Sequence, residues 1–236
     1  MTTILLTGSS RGIGAASLLA LREVGATVIG QATAAKVGEA IAADFADPAA
    51  PARLWQTALD EAGGTIDVLV NNAGVFEANL LDGDADAWLA GWERTMQINL
   101  TAAAQLSRLA VLHWQGRGTG GRIVNIASRA AYRGDSPAHW HYAAAKAGMA
   151  AMTKTIARGY ARENILAFAV CPGFTMTGMA EDYLASRGGD KLFADIPLGR
   201  VADPEEVASA VRYLALEAPA SMTGAVIDIN GASYVR

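Results

Sequence analysis

A chain of 236 residues, 52% hydrophobic and 18% charged, has apolar surface for one substantial core and too little charge to stay open by self-repulsion. Its 19 Lys and Arg against 23 Asp and Glu give a net charge of −4 with no basic stripe, which excludes nucleic acid as an expected partner. Cys171 is the only cysteine, so an intramolecular disulfide and a thiolate zinc cluster are excluded, and no basic-then-apolar leader or run of roughly 18 apolar residues marks a secreted or membrane chain.

These features together give the expectation of a soluble, cytoplasmic protein with no membrane partner. Along the chain, short β-branched runs alternate with longer Ala-rich stretches of helical spacing. A strand is expected over Thr3 to Thr7, a helix over Gly12 to Val24, then strands over Ala26 to Gly30 and Ala40 to Ala43. A helix over Ala49 to Ala62 precedes a strand over Ile66 to Val70. The long helical stretch from Asp84 to Trp114 is expected to break within its length. A strand over Arg122 to Ala127, a helix over Tyr142 to Ala161 and a strand over Leu166 to Val170 follow. The last pair is a helix over Pro204 to Ala215, whose Pro204-Glu205-Glu206 opening suits a first turn, and a strand over Ala225 to Ile229.

Most of these strands are near-continuous apolar runs, as strands covered on both faces should be. The alternation predicts an α/β fold in which residues 1–236 form a single domain, a doubly wound parallel sheet of about seven strands with helices on both faces. Gln31 to Glu39 is short for a crossover helix, so that connection is expected to be a loop.

Thr7-Gly8-Ser9-Ser10-Arg11-Gly12-Ile13-Gly14 follows a strand and opens a helix, the context of a dinucleotide-binding turn in a Rossmann fold. Gly8 permits the tight turn, while Gly12 and Gly14 let a pyrophosphate approach backbone N–H groups at the positive helix end. The spacing G-x-x-x-G-x-G differs from G-x-G-x-x-G and from the P-loop, and glycines also serve ordinary strand-to-helix turns. An NAD enzyme normally has an acidic residue about 20 positions on, holding the ribose 2′-hydroxyl. Here that strand ends Gly30-Gln31-Ala32-Thr33. Arg11 and Lys36 can instead meet a 2′-phosphate, which favours NADP(H), with NAD(H) the alternative.

Tyr142 and Lys146 stand four apart in a helical stretch and project from one face. A free phenol, with a pKa of about 10, accepts protons poorly at neutral pH. An ammonium about 4 Å away, at an effective dielectric of about 20, favours phenolate by about 4 kcal/mol before desolvation opposes it. The phenol is therefore expected to be shifted down and to act as a general acid or base.

In chain order stand the glycine turn Thr7 to Gly14, Asn71-Asn72-Ala73-Gly74, Asn125-Ile126-Ala127-Ser128, Tyr142 with Lys146, and Cys171-Pro172-Gly173-Phe174-Thr175. This set resembles the short-chain dehydrogenase/reductase family of NAD(P)-dependent oxidoreductases. The resemblance implies a catalytic tetrad of Asn99, Ser128, Tyr142 and Lys146. In it Ser128 polarises a substrate carbonyl, Tyr142 exchanges the proton, Lys146 also bonds the nicotinamide ribose, and Asn99 positions a relay water. It further implies a cofactor cradle: Gly8, Ser10, Arg11, Gly12, Ile13 and Gly14 in the turn, Gln31 at the second strand, and Asp44 with Phe45 beside the adenine. Asn72, Ala73 and Gly74 support the sheet there, and Pro172, Gly173 and Thr175 border the nicotinamide.

His139, His141, Arg129 and Arg133 flank these groups and are expected at the substrate end. No third ligand joins the two histidines, so no metal is expected. Met176 to Ile196 is expected to be a lid over a small-molecule carbonyl or alcohol substrate. Pro197-Leu198-Gly199-Arg200 resembles a segment of 3-oxoacyl-(acyl-carrier-protein) reductases that members with other substrates share. Trp88 with Trp92 and Met149 with Thr153 are helical stripes of core or interface type. The resemblance implies a homodimer or homotetramer, although Asn230-Gly231-Ala232 stands where the family has Asp-Gly-Gly. The alternative is a non-catalytic NAD(P)-sensing protein of the same fold, which should lack Tyr142 or Lys146. A sugar-nucleotide epimerase or dehydratase would need another glycine spacing and a larger carboxyl-terminal part.

Overall fold

The computed structural model describes residues 1–34, 40–176 and 194–236. Lys36, and residues 177–193 of the expected lid, lie outside that range. Seven parallel strands form one sheet in the order β3-β2-β1-β4-β5-β6-β7. They are β1 Thr3–Leu6, β2 Thr27–Ala32, β3 Ala40–Ala42, β4 Val68–Asn71, β5 Gly121–Ile126, β6 Ile165–Pro172 and β7 Val226–Ile229. The helices are α1 Gly12–Glu23, α2 Ala50–Glu61, α3 Ala85–Met96, α4 Ala102–Arg117, the short α5 Ala130–Arg133, α6 Trp140–Tyr160 and α7 Pro204–Arg212. This is the doubly wound Rossmann arrangement that the alternation implies. All seven expected strands form within a few residues of their expected limits, and β2 pairs parallel with β3 across Gly30 to Ala40 and Ala32 to Ala42.

Successive residues of a strand face opposite sides, so each apolar strand feeds two cores. Leu5, Leu69, Ile123 and Ala167 pack against Leu54 of α2, Leu106 and Trp114 of α4 and Ile156 of α6. Ile4, Leu6, Val70, Val124 and Phe168 pack on the other side against Leu21 of α1 and Val207 and Val211 of α7. The chain leaves β1 in one direction to β2 and later returns to β4 on its other side. The crevice beyond the carboxyl ends of these strands is the switch point at which such sheets bind ligands.

Three local features refine the expectations. The long helical stretch does break, at a π-helical segment over Gln97–Thr101, and that segment carries Asn99. α7 begins with a capping box around Pro204, in which the Asp203 side chain accepts the Glu206 N–H and the Asp203 N–H donates to the Glu206 carboxylate (2.8 Å). Thr153 belongs to a buried polar chain rather than an apolar stripe. Asn71 Nδ2 donates to Asn125 Oδ1 (2.8 Å) and Asn125 Nδ2 to Thr153 Oγ1 (2.8 Å), tying β4, β5 and α6 together.

At the carboxyl end Ala232 adopts φ +64°, a left-handed conformation that disfavours a side chain with Cβ. Ala232→Gly removes that cost, while the added freedom of the unfolded chain offsets part of the gain. A net stabilisation of about 0.5 to 1 kcal/mol is expected, read as a Tm higher by about 1 to 4 °C. An unchanged or lower Tm in a thermal melt would contradict it.

Candidate active site

β1 ends at Leu6 and the chain turns through Gly8, at φ +65°, and Gly12, at φ +52°, into α1. The turn is fastened from two sides. Asn72 donates through Nδ2 to the Thr7 and Gly8 carbonyls (both 3.0 Å), while its own N–H and that of Ala73 donate to Thr7 Oγ1 (2.9 and 3.0 Å). On the other side the Gly8 N–H donates to Gln31 Oε1 (2.9 Å), and Gln31 Nε2 donates to the Ala43 carbonyl (2.6 Å). Gln31 therefore lines the crevice with its amide already engaged; it joins the glycine turn to the chain leading to Asp44 and Phe45.

Arg11 is the N-cap of α1, but its side chain makes no cap, and the first turn holds no acidic residue. The first-turn N–H groups thus lack the side-chain acceptor that most helices provide. They stand at the positive helix end, beside the crevice, as a site for an anion.

Ser128 lies just past the end of β5. Its Oγ accepts the Ala130 N–H (3.1 Å), which starts α5, and it lines the same crevice as the Tyr142 phenol, whose phenolate form its hydroxyl favours. One helical turn further, Lys146 donates from Nζ to the Ile126 carbonyl (2.8 Å) and stands 5.7 Å from the Tyr142 ring centroid. Behind them the fully buried Asn99 holds the Val75 backbone at both ends. The Val75 N–H donates to Asn99 Oδ1, and Asn99 Nδ2 donates to the Val75 carbonyl (2.8 Å each). Its side-chain amide is thereby committed to the strand-end loop. A Cβ on Gly74 would stand 3.2 Å from Asn99 Oδ1 and 3.5 Å from Lys146 Nζ, so glycine lets the three pack closely.

The electrostatics correct one expectation. Burial pushes the Tyr142 phenol up, to about 12, and only the Ser128 hydroxyl opposes it. Burial pushes Lys146 down, to about 8. The ammonium points to the Ile126 carbonyl rather than to the phenol oxygen, and desolvation outweighs its field. At neutral pH Tyr142 is a protonated phenol.

The turn residues Gly8, Ser10, Arg11, Gly12, Ile13 and Gly14 share one crevice of about 620 Å3 with Gln31, Asp44, Phe45, Asn72, Ala73 and Gly74. The same opening continues to Ser128, Tyr142, Lys146, Pro172, Gly173 and Thr175. Asn99 stands behind its wall. Of the four residues expected at the substrate end, Arg129 and His139 line this crevice, whereas Arg133 and His141 do not. Phe76, which no spacing marks in the sequence, stacks on His139 (3.9 Å between centroids) and meets Tyr142 edge-on (4.8 Å). Thr7, which opens the glycine turn, has its role set by the fold: its hydroxyl accepts the Asn72 and Ala73 N–H groups. Among the described residues no group of three or more His, Cys, Asp or Glu could hold a metal, and no helix is long and apolar enough to cross a membrane.

The uncapped start of α1, the glycine turn and a crevice of this size fit a dinucleotide. A family model described as enoyl-(acyl carrier protein) reductase matches residues 8–232. Among curated proteins, the chain is 37% identical to the 3-oxoacyl-[acyl-carrier-protein] reductase of Vibrio cholerae, over 98% of this chain and 96% of that one. It is 38% identical to that of Vibrio harveyi over the same shares. A solved structure from Agrobacterium tumefaciens, described as a 2-deoxy-d-gluconate 3-dehydrogenase with bound NADP, superposes with a TM-score of 0.86. It is 29% identical and covers 100% of this chain and 97% of that one. The chain belongs to the short-chain dehydrogenase/reductase family and is an NAD(P)-dependent oxidoreductase acting on a small-molecule substrate.

Proposed function

We propose that the chain is an NADP(H)-preferring reductase of a carbonyl to a secondary alcohol, with Tyr142 as the proton donor. The observation that carries this reading is that Ser128, Tyr142 and Lys146 line the same crevice that begins at the uncapped start of α1. Bound there, the nicotinamide would supply the hydride.

Ser128 would donate to the substrate carbonyl oxygen and draw charge towards it. Tyr142, held protonated by burial, would release its proton to that oxygen as charge develops, and Lys146 would stabilise the resulting phenolate. Asn99 would hold the wall of Val75 against which these groups are set. For the cofactor's other end, Arg11 and Thr33 line the crevice where β2 finishes without a carboxylate. A guanidinium and a hydroxyl there suit a 2′-phosphate. Retention of both Tyr142 and Lys146 speaks against a purely sensing role. Cytoplasmic location and assembly as a homodimer or homotetramer belong to the same reading and rest on the resemblance.

The test is a panel of ketones, oxo acids and oxo esters followed by NADPH absorbance, repeated with NADH. Turnover with kcat/KM at least about tenfold higher for NADPH is expected, since one charge-assisted contact accounts for that factor. A preference for NADH would overturn the cofactor assignment; NADPH binding without turnover across the panel would favour sensing.

A further inference from the structure

The structure assigns to Phe76 a positioning role: packed on the rings of His139 and Tyr142, it sets the direction of the phenol and keeps water from one side of it. This rests on the reading of Tyr142 as proton donor and adds the residue that holds the donor in place. Phe76 starts from a fixed backbone. Asn99 clamps the N–H and the carbonyl of the preceding Val75 (2.8 Å each), and three residues after Phe76 the Asn79 N–H donates to the Ala138 carbonyl (2.9 Å). The loop between β4 and α3 is thereby tied at one end to the π-helical segment and at the other to the residue before His139.

His139 is held in turn. It is buried, its N–H donates to the Ser136 carbonyl (2.9 Å), and its ring Nδ1 lies 2.7 Å from Ser136 Oγ. On this base Phe76 stacks with His139, the centroids 3.9 Å apart and the planes within 3° of parallel. Tyr142 stands three residues beyond His139 on α6 and meets Phe76 at 4.8 Å and 82°, an edge-to-face contact that is lost if either ring swings away. Lys146, turned to the Ile126 carbonyl, is farther from the same ring, at 5.7 Å. A displacement of about 1 Å in a reacting group can cost about 100-fold in rate, so what limits the sweep of the phenol tip matters to turnover. Phe76 also lines the crevice beside Tyr142, and its ring fills space that water would otherwise take against the phenol.

The experiment sets Phe76→Ala and Phe76→Tyr beside the wild type, each as the intact protein. Phe76→Ala is expected to lower kcat for NADPH-dependent reduction by about 10- to 100-fold with NADPH affinity within about threefold of the wild type, and Phe76→Tyr, which keeps the ring, to recover most of that loss. Phenolate absorbance gives a second reading that needs no substrate: the difference between each protein and its Tyr142→Phe counterpart isolates Tyr142. Lys146 on α6, Asp135 in the loop before it, Ser128 at the end of β5 and Cys171 on β6 face the phenol and are the same in every variant. The titration of Tyr142 in Phe76→Ala is therefore expected about one pH unit below its wild-type position, towards the ordinary value of about 10. An unchanged titration overturns the inference, and so does a loss confined to KM, which would make Phe76 a wall of the substrate pocket alone. Equal losses in Phe76→Ala and Phe76→Tyr also overturn it. A wild-type Tyr142 that titrates at about 10 does so without any Phe76 variant having to fold. Full activity in Tyr142→Phe would instead strike the proton-donor reading.

Discussion

Tyr142→Phe should lower turnover by about 10³-fold while leaving NADPH affinity within about threefold of the wild type. The substitution deletes one oxygen from a side chain whose ring packs edge-on against Phe76 and is held within the crevice wall. The packing survives; the transferable proton does not. NADPH binding followed by tryptophan fluorescence, beside single-turnover rates, separates the two effects. Residual activity above about a tenth of wild type would remove Tyr142 from the chemistry.

The same site predicts a pH profile. Tyr142 keeps its proton until about pH 12, so it does not limit reduction in the working range. Lys146, lowered to about 8, is charged below that pH and loses its charge above it. If the ammonium stabilises the phenolate formed on proton release, kcat/KM for reduction stays level at neutral pH and falls as pH rises through about 8. A profile level through pH 10 would remove the ammonium from the mechanism.

Gly14→Ala has the second large expected effect, and it acts through packing. A methyl at this position would collide with the Gly8 carbonyl oxygen and stand 2.6 Å from Asn72 Nδ2. Both neighbours are fixed: Gly8 by Gln31, and Asn72 by Thr7 and Gly8. Neither can move without opening the turn, so α1 must shift away from β1. Overpacking against backbone costs about 3 kcal/mol or more, a Tm lower by about 6 to 12 °C, with NADPH binding weakened by the displaced helix start. Wild-type stability and affinity in this variant would show that the turn tolerates a side chain and is not the cofactor cradle.

Much of this architecture was legible from the chain alone. Apolar runs such as Ile4 to Leu6 and Leu166 to Val170 specify buried strands because a strand covered on both faces has no polar side to alternate with. Tyr142 and Lys146 could be placed on one helix face because helical spacing is a local rule. The glycine turn was likewise readable, since only glycine comfortably takes left-handed backbone at Gly8 and Gly12.

What the amino-acid order determined by itself was therefore the alternation of elements, the turn and the set of reactive groups. The tertiary structure decided what those groups can do. Tyr142 was expected to be more acidic and is less so, because desolvation depends on everything packed around a phenol, whereas the spacing to Lys146 conveys only one neighbour. Gln31, Asn99 and Thr153 acquired their partners, Gly8, Val75 and Asn125, from segments 23 or more residues away. Phe76 met His139 and Tyr142 in the same way. Local propensity acts over a few bonds; burial and hydrogen-bond pairing act through space, and only the folded chain sets those distances.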